Sequence, residues 1–438
     1  MTDLIPKLAL FPLTTAVSPS GHLLIGGCDT VELAAQFGTP LYLFDELHLR
    51  RKCAEIKAEF SRCYADTAVI YAGKAFINKA WAIILKEEGL GLDVVSAGEL
   101  GIARLAGFPL DRVYCHGNNK SAEEISLALQ WGVGRIVVDN FHELEMLGKI
   151  AREMGKRPDI LLRITPGVDP HTHQYIVTGS VDSKFGFPLA MGEQAVVTAM
   201  SMPGVNLVGL HFHIGSQILE VEPYQQAIGF ILGFAAEMKQ KHGFLLKELN
   251  VGGGFGSQYT LDAPPPPVSV YAGAIASSIT GNCQKLGLPL PRLVIEPGRS
   301  IVGQAGVALY KAGVVKEIPG VRRYVSVDGG MGDNIRPALY GAKQAAVVAN
   351  KVTEKESITF TIAGKYCESG DILVRDVELP AVSSGDILGI AGCGAYCVPM
   401  ASNYNASFKP AIVLVREGKA RLIRRRETLE DLTRCDVA

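Results

Sequence analysis

The chain has 438 residues, a formal net charge of −1 and a hydrophobic content of 48%. This length predicts two or three domains with an ample core, and the near-zero charge argues against a nucleic-acid or anionic-membrane partner. No apolar run approaches the roughly 20 residues that cross a bilayer, no secretory signal pattern opens the chain, and the nine scattered cysteines favour reduced thiols. We therefore expect a cytoplasmic globular protein.

After the N-terminal residues, short apolar runs alternate with segments of helical spacing. The first 45 residues hold short extended pieces at 23–25 and 41–44, and a helix is predicted over 46–60. The apolar runs that follow predict eight buried strands at 68–71, 92–95, 112–115, 135–138, 160–164, 207–212, 249–251 and 293–295. Eight strand-helix units over roughly 250 residues predict an α/β fold, a TIM-type (β/α)8 barrel with its reactive groups at the C-terminal strand ends.

Beyond residue 300 the pattern changes to short alternating strands without helical crossovers, which predicts a mostly antiparallel β-domain that the N-terminal residues join. Its predicted strands are 307–312, 323–328, 357–363, 386–391, 411–416 and 421–424. The predicted bounds are 1–45 for the N-terminal part of the β-domain, 46–300 for the barrel and 301–438 for the C-terminal β-domain.

Two connections in the predicted barrel are long. The first, 166–188, holds His171, His173, Tyr175 and Lys184 and is expected to cover the barrel mouth; the second, 257–267, ends in four prolines and is expected to be a spacer without chemistry.

Polar residues stand at the ends of all eight predicted strands, which is more than core packing requires. They are Lys74, Ser96, His116 with Asn118 and Asn119, Asp139, Arg163, His213 with Ser216, the glycine run 252–254, and Glu296 with Arg299. Some have structural roles nearby, since Ser121 and Glu124 have the spacing of a helix capping box.

Lys74 follows a buried strand and a glycine. Burial of an ammonium lowers its pKa until the amine becomes a nucleophile that forms Schiff bases. The alternative is a lysine whose tip reaches water, which is the commoner outcome for a lysine taken alone.

Three further features indicate which ligand the strand ends bind. The glycines 252–254 can adopt positive φ and turn successive amides toward a phosphate, with Ser216 beside them. Glu296 needs a cationic partner, either a pyridinium nitrogen or Arg299. His211 and His213 share a strand face, a spacing that also suits a metal-dependent hydrolase. Few other strand-end histidines or carboxylates complete a metal set. Stacking of an imidazole on an aromatic cofactor is therefore favoured. Together with Lys74, these features match pyridoxal 5′-phosphate.

The β-domain offers candidate substrate contacts. Arg336 and Tyr340 could bind a carboxylate. Cys367 beside Glu368 is a candidate proton donor, and Tyr396 is a candidate phosphate or substrate contact. By spacing alone, these are ordinary loops.

The sequence resembles the diaminopimelate decarboxylase family, pyridoxal-phosphate enzymes with an alanine-racemase-like barrel. The resemblance extends over nearly the whole chain and is carried by the motifs at 71–75, 93–96, 117–120, 178–179, 183–186, 211–216, 252–254, 296–299, 333–340 and 367–371, and by Tyr396. Ala97, where the family more often has glycine, and Gly332 depart from the pattern without supplying a functional side chain.

The resemblance implies decarboxylation of meso-2,6-diaminopimelate at its D-centre to L-lysine, the last step of lysine biosynthesis, by a homodimer whose sites are each completed by Cys367 and Glu368 of the partner. Its implied cofactor-binding residues are Lys74, His213, Ser216, Gly253, Gly254, Glu296, Arg299 and Tyr396. Its implied substrate-binding residues are Arg299, Arg336, Tyr340, Glu368 and Tyr396, and Cys367 or Lys74 returns the proton. The alternatives are a sister decarboxylase acting on D-ornithine, arginine or a carrier-bound glutamyl group, an amino-acid racemase, and a pyridoxal-phosphate carrier without turnover.

Overall fold

The computed structural model describes residues 6–168 and 183–437. The described residues form two compact units. The first lies within Cys53–Gly256 and Pro265–Gly298, and the second comprises the chain up to Lys52, Ser257–Pro264 and the residues from Arg299 onward. The predicted bounds had placed 46–52, 257–264 and 299–300 in the barrel, whereas these residues cluster with the second unit.

The N-terminal elements begin with a small antiparallel sheet. They are β1 (Ala16–Val17), β2 (Leu23–Ile25), β3 (Cys28–Asp29), α1 (Thr30–Phe37), β4 (Leu41–Asp45) and α2 (Glu46–Cys63). Asp29 begins α1 by accepting hydrogen bonds from the backbone amides of Val31 and Glu32.

The first unit is a closed parallel barrel, as predicted. Its strands are β5 (Thr67–Ala72), β6 (Gly91–Val94), β7 (Val113–Cys115), β8 (Arg135–Val138), β9 (Asp159–Thr165), β11 (Asn206–His211), β12 (Glu248–Asn250) and β13 (Arg292–Ile295), and β10 (Phe187–Pro188) pairs with β9 outside the ring. Each strand pairs in parallel with its neighbour, and β13 pairs with β5, which closes the sheet. One buried core layer consists of Ile70, Tyr114, Val137, Leu161, Val208 and Val294.

The barrel helices follow the strands, and four of them begin at polar side-chain caps. They are α3 (Lys79–Glu87), α4 (Ala97–Leu105), α5 (Ala122–Trp131), α6 (Phe141–Glu153), α7 (Leu189–Ser201), α8 (Glu222–His242) and α9 (Val268–Leu286). Asn78, Ser96 and Asn140 cap α3, α4 and α6, and Ser121 forms the predicted capping box with Glu124 at α5. Ser96 at its strand end is therefore a helix cap.

The second unit is a mixed β-sheet. Its remaining elements are α10 (Arg299–Val302), β14 (Gly306–Ile318), β15 (Arg322–Val327), α11 (Arg336–Tyr340), β16 (Ala346–Val348), β17 (Ile358–Ala363), β18 (Ile372–Leu379), β19 (Ile387–Ile390), β20 (Ala411–Arg416), β21 (Lys419–Arg424) and α12 (Leu429–Thr433). The strand order is β18-β17-β15-β14-β4-β20-β21, with β19 pairing β14 and β16. Because β4 lies between β14 and β20, the N-terminal residues join this sheet as predicted, whereas β16 and β18 were not predicted.

Within the described parts of the chain, no helix is both long and apolar enough to span a membrane. All nine cysteines are free thiols, as expected for a chain without a disulfide framework.

Candidate active site

The C-terminal strand ends of the barrel bring together a buried carboxylate and three polar partners. Glu296, just after β13, lies with Oε1 2.8 Å from His116 Nε2 and Oε2 3.4 Å from His211 Nε2. The Asn250 side-chain amide donates to Glu296 Oε1 over 2.7 Å. The two imidazole rings meet edge to face, with 4.9 Å between their centroids. Four different barrel strands thus supply one polar cluster.

The electrostatics of this cluster keep Glu296 ionised. Burial opposes its charge, yet His116 and His211 hold the pKa of Glu296 well below its usual value. Burial also opposes charge on His116, but the carboxylates of Asp93 and Glu296 raise the pKa of that imidazole. Burial lowers the pKa of His211 to about 3, so its ring is neutral. These interactions therefore favour an ionised Glu296 beside a protonated His116 ring.

Several buried polar atoms in and beside this cluster have no hydrogen-bond partner within the described part of the chain. They include Asp93 Oδ1, Asp139 Oδ1 and His211 Nδ1. His116 Nε2 also lacks hydrogen-bond geometry, although it lies 2.8 Å from Glu296 Oε1. Because buried polar groups are nearly always paired, such a concentration indicates a site that a ligand completes.

Lys74 lies in the short 3-10 turn Gly73–Ala75 that follows β5. The side chain is exposed between two buried neighbours, so the prediction of a buried ammonium is wrong. Its charge lowers the pKa values of Asp93, Glu99 and His213, which places the amine at the mouth of the barrel beside those groups. An exposed amine at this position is accessible to an incoming carbonyl compound.

Gly298 lets the end of β13 approach the Lys74 turn. A Cβ on Gly298 would lie 3.0 Å from the Ala72 Cβ and 3.1 Å from the Ala75 Cβ. The Ala72 amide donates to the Pro297 carbonyl over 3.1 Å. The Glu-Pro-Gly sequence therefore positions Glu296 on the strand that adjoins Lys74.

His213, two residues beyond β11, presents a neutral ring. Burial is the main cause of its strongly lowered pKa, and the charge of Lys74 lowers it further. Its Nδ1 accepts the Gly253 amide over 3.2 Å. A Cβ on Gly252 would lie 2.6 Å from this Nδ1, so only glycine leaves room for the ring. A neutral, fixed imidazole suits stacking on an aromatic ligand.

The glycine turn differs in part from the predicted phosphate nest. The Gly252 amide donates to Asn250 Oδ1 and the Gly253 amide to His213, so these two donors are already used within the chain. Gly254 has φ +103°, and a Cβ there would lie 2.4 Å from the Gly215 carbonyl oxygen. Ser216 is half-buried in the neighbouring turn. The turn requires glycine, while its first two amides serve the protein.

The prediction that few other strand-end histidines or carboxylates complete a metal set is wrong. His116, His211 and Glu296 offer three ligand atoms that all lie within 4.8 Å of one another. His213, which that prediction had considered, is not part of this group. The geometry of these three side chains therefore suits a metal ion as well as an organic cofactor.

In the second unit, two arginines surround Tyr259. Arg299 donates to the Tyr259 hydroxyl over 3.0 Å and lies 4.7 Å above the Tyr396 ring. Arg336 lies 4.3 Å above the Tyr259 ring and also bonds the Cys397 thiol. The prediction that the 257–267 connection has no chemistry is therefore wrong at Tyr259, which positions both predicted carboxylate binders.

The predicted proton donor lies on the surface of this unit. Cys367 and Glu368 are both exposed, and Glu368 accepts the Tyr404 hydroxyl over 3.0 Å. Asp371 shapes their loop by accepting the amides of Met331 (2.6 Å) and Tyr366 (2.8 Å). Tyr340 is half-buried, and its hydroxyl lies 3.9 Å from the Met400 sulfur.

The chain matches known decarboxylases over nearly its full length. Residues 47–303 match the family described as "Pyridoxal-dependent decarboxylase, pyridoxal binding domain". The diaminopimelate decarboxylase of Bacillus subtilis (strain 168) is 47% identical over 426 residues, which cover 97% of each chain. The chain belongs to the diaminopimelate decarboxylase family. The family resemblance drawn from the sequence motifs is therefore confirmed.

Structures of the family agree with this assignment. The diaminopimelate decarboxylase of M. jannaschii superimposes with a TM-score of 0.91 at 37% identity, over 97% of this chain and 98% of that one. A second structure of that enzyme, in complex with L-lysine, gives a TM-score of 0.90. The chain is thus an enzyme, a carboxy-lyase, and its cofactor is pyridoxal 5′-phosphate. The unpartnered atoms around Glu296, its maintained charge and the neutral His213 ring fit that cofactor.

Some sequence predictions fall outside the described residues, namely His171, His173, Tyr175 and the motif at 178–179. Three residues of the cluster, His116, His211 and Asn250, were not predicted as cofactor- or substrate-binding residues. Asn250 was treated only as part of an apolar strand, although an amide inside such a strand is a signal for a specific partner. His116 was recognised as a strand-end residue, but no spacing rule connects it to Glu296.

Proposed function

We propose that this chain decarboxylates meso-2,6-diaminopimelate at its D-configured carbon and releases L-lysine and CO2, the last step of lysine biosynthesis. The observation that carries the proposal is the ionised, buried Glu296 at the mouth of a barrel that also presents Lys74 and His213. The substrate follows from the full-length similarity to diaminopimelate decarboxylases.

The barrel residues would hold the cofactor. Lys74 would bind it covalently, His213 would lie against its ring, and Glu296 would pair with its pyridine nitrogen. Gly253 and Gly254, with Ser216 and Tyr396, would line its phosphate. When bound, the cofactor supplies an electron sink for the bond to the departing carboxylate.

The remaining residues would orient the substrate and move its proton. Arg299, Arg336 and Tyr340 would hold the carboxylate that stays, because a guanidinium grips a carboxylate through two parallel hydrogen bonds. Glu368 would bind the distal amine, and Tyr396 would contact the substrate as well as the phosphate. Cys367 or Lys74 would donate a proton to the carbon from which CO2 leaves.

We further propose a homodimer in which the partner subunit supplies Cys367 and Glu368. Their exposure supports this assignment, since a proton donor must be shielded from water during catalysis and neither side chain is shielded within this chain. Location in the cytoplasm stays a prediction from composition.

The experiment is to follow CO2 and L-lysine from meso-2,6-diaminopimelate with the purified protein supplied with pyridoxal 5′-phosphate. Stoichiometric release of both products supports the proposal. Visible absorbance of bound cofactor without turnover would redirect the assignment to D-ornithine, arginine or a carrier-bound glutamyl substrate, and interconversion of stereoisomers would indicate a racemase.

Substitution of the proposed cofactor-binding lysine is a second test of the proposed function. Lys74→Ala should lose at least about 100-fold in turnover, because the covalent attachment disappears. Lys79→Ala is the matched control, since Lys79 is also exposed and lies five residues further along the chain. Near-normal turnover by Lys74→Ala would refute the assignment.

A further inference from the structure

His116 stands between two carboxylates at the barrel mouth. Its Nε2 is 2.8 Å from Glu296 Oε1 and 3.9 Å from Asp93 Oδ1. All three side chains are buried. One imidazole can therefore serve either acid with a small movement of its ring.

The two carboxylates differ in how well they are paired. Glu296 also has the Asn250 amide and His211 as neighbours. Asp93 Oδ1 has no hydrogen-bond partner in the described part of the chain. A buried carboxylate oxygen without a partner is unfavourable. Asp93 therefore needs a cationic partner more strongly than Glu296, which already has two polar neighbours.

We propose that His116 is a positioning residue that changes partner on cofactor binding, from Glu296 in the free protein to Asp93 when the cofactor's pyridinium occupies Glu296. This inference rests on the proposed function, because it requires the pyridine nitrogen at Glu296. It assigns to His116 a role in cofactor loading.

Charge balance favours this exchange. Burial raises the pKa of Asp93, and the charges of His116, Lys74 and Arg163 lower it. When both acids are ionised, Asp93 and Glu296 carry two negative charges, and the imidazolium and a pyridinium supply two positive ones. An imidazolium that stayed on Glu296 would weaken the pairing of that acid with the pyridinium, and an imidazole that lost its proton would leave Asp93 as a buried, unpaired anion. Movement of the imidazolium to Asp93 gives each acid its own cation.

The other charged groups that face His116 do not replace it. The charge of Arg163 also lowers the pKa of Asp93, but its Nη1 lies 4.0 Å from Asp139 Oδ1, the carboxylate with which it pairs. The His211 ring is neutral, because its pKa is lowered to about 3. The charge of Lys74 reaches Asp93, but this amine is the residue that the cofactor would engage. Among the described residues, His116 is thus the cationic side chain that lies within 4.0 Å of Asp93.

The test counts protons when the cofactor-free protein is titrated calorimetrically with pyridoxal 5′-phosphate at pH 6, in buffers of different ionisation enthalpy. In the wild type, His116 keeps its proton by moving to Asp93. In Asp93→Asn no second carboxylate is available, so binding should release about one more proton per site than in the wild type. The double variant His116→Gln/Asp93→Asn should release the same number of protons as His116→Gln alone, because the titrating imidazole is absent from both.

If the wild type and Asp93→Asn bind the cofactor and release equal numbers of protons, the exchange of partners is refuted. The proposed function is not affected by that result, because the cofactor still binds. Absence of cofactor binding by the wild type would overturn both. If Asp93→Asn does not fold, ¹⁵N spectra of histidine-labelled wild type give the same answer, with the His116 signal identified by its loss in His116→Gln. A doubly protonated His116 ring before and after cofactor addition is expected, and a ring that becomes neutral on addition would refute the exchange.

Discussion

Asn250 joins Glu296 to the glycine turn through its two side-chain atoms. Its Nδ2 donates to Glu296 Oε1 over 2.7 Å, and its Oδ1 accepts the Gly252 amide over 2.9 Å. The residue is fully buried at the end of β12. Because one rigid amide sets both the carboxylate and the turn, it couples the position of the proposed pyridine partner to that of the proposed phosphate turn.

Asn250→Ala should therefore weaken cofactor affinity on the order of tenfold and destabilise the protein by about 1–3 kcal/mol, since it leaves the Gly252 amide and a Glu296 oxygen without their partner. Cofactor titration and urea unfolding measure the two effects. Asn282→Ala is the control, because the Asn282 amide bonds Ser278 one turn away in the same helix. Unchanged cofactor affinity in Asn250→Ala would contradict the coupling.

Gly254→Ala should impair cofactor binding by tenfold or more, because φ is +103° there and the added Cβ would lie 2.4 Å from the Gly215 carbonyl oxygen. Gly229→Ala is the matched control. Gly229 lies within helix α8 and a Cβ there meets nothing within 4 Å, so this change should stabilise the protein by about 0.5–1 kcal/mol. Equal cofactor affinity of both variants would show that the turn tolerates a side chain.

Cys367→Ala should lower turnover by about 100-fold if its thiol donates the proton, whereas Cys435→Ala, which also removes an exposed thiol, should retain full activity. A mixture of equal amounts of Cys367→Ala and Lys74→Ala tests whether sites are shared. Random exchange of subunits should restore about a quarter of wild-type activity, because half of the dimers then contain one intact site of two. No recovery after demonstrated subunit exchange would place both residues in the same subunit's site.

Asp333 should make stability depend on pH. Burial raises its pKa from 3.8 to about 6, although the Tyr310 and Tyr42 hydroxyls and the Gly330 amide stabilise its charge. Between these values the folded state holds a proton that the unfolded state has lost. The contribution of this acid is therefore fully present below pH 4 and is lost as the pH rises through about 6.

The wild type should lose about 3 kcal/mol relative to Asp333→Asn between pH 4 and pH 7, since each pKa unit corresponds to about 1.4 kcal/mol. Urea unfolding of both proteins across this range measures the difference. The amide does not titrate, so groups common to the two proteins cancel. A pH-independent difference would show that Asp333 ionises equally in both states.

The barrel was predictable because its signal is local and repeated. Each buried strand is a short apolar run, each helix has its own spacing, and caps such as Ser121 with Glu124 lie within four residues of each other. The second unit was harder to predict. Its strands pair across long separations, as β4 does with β14 and β20, and β18 was missed although it pairs with β17.

Some residues of the site were likewise predictable from local sequence, and others were not. Lys74, His213 and Glu296 were predicted because each follows a recognisable strand end and their residue types match one cofactor. The partnership of Glu296 with His116 and Asn250 was not predicted, since 180 and 46 positions separate these residues in the chain. Tyr259 was overlooked because a proline-rich connection has no periodicity that indicates contacts.

The sequence by itself determined the barrel, the strand ends that carry polar groups and the resemblance to a decarboxylase family, because strand and helix patterns and motif letters are local properties. Only the tertiary structure decided that Lys74 is exposed, that two glycine amides are already used and that Glu296 shares His116 with Asp93. Exposure, hydrogen bonding and charge pairing depend on which distant residues become neighbours, and the closure of the barrel sets those distances.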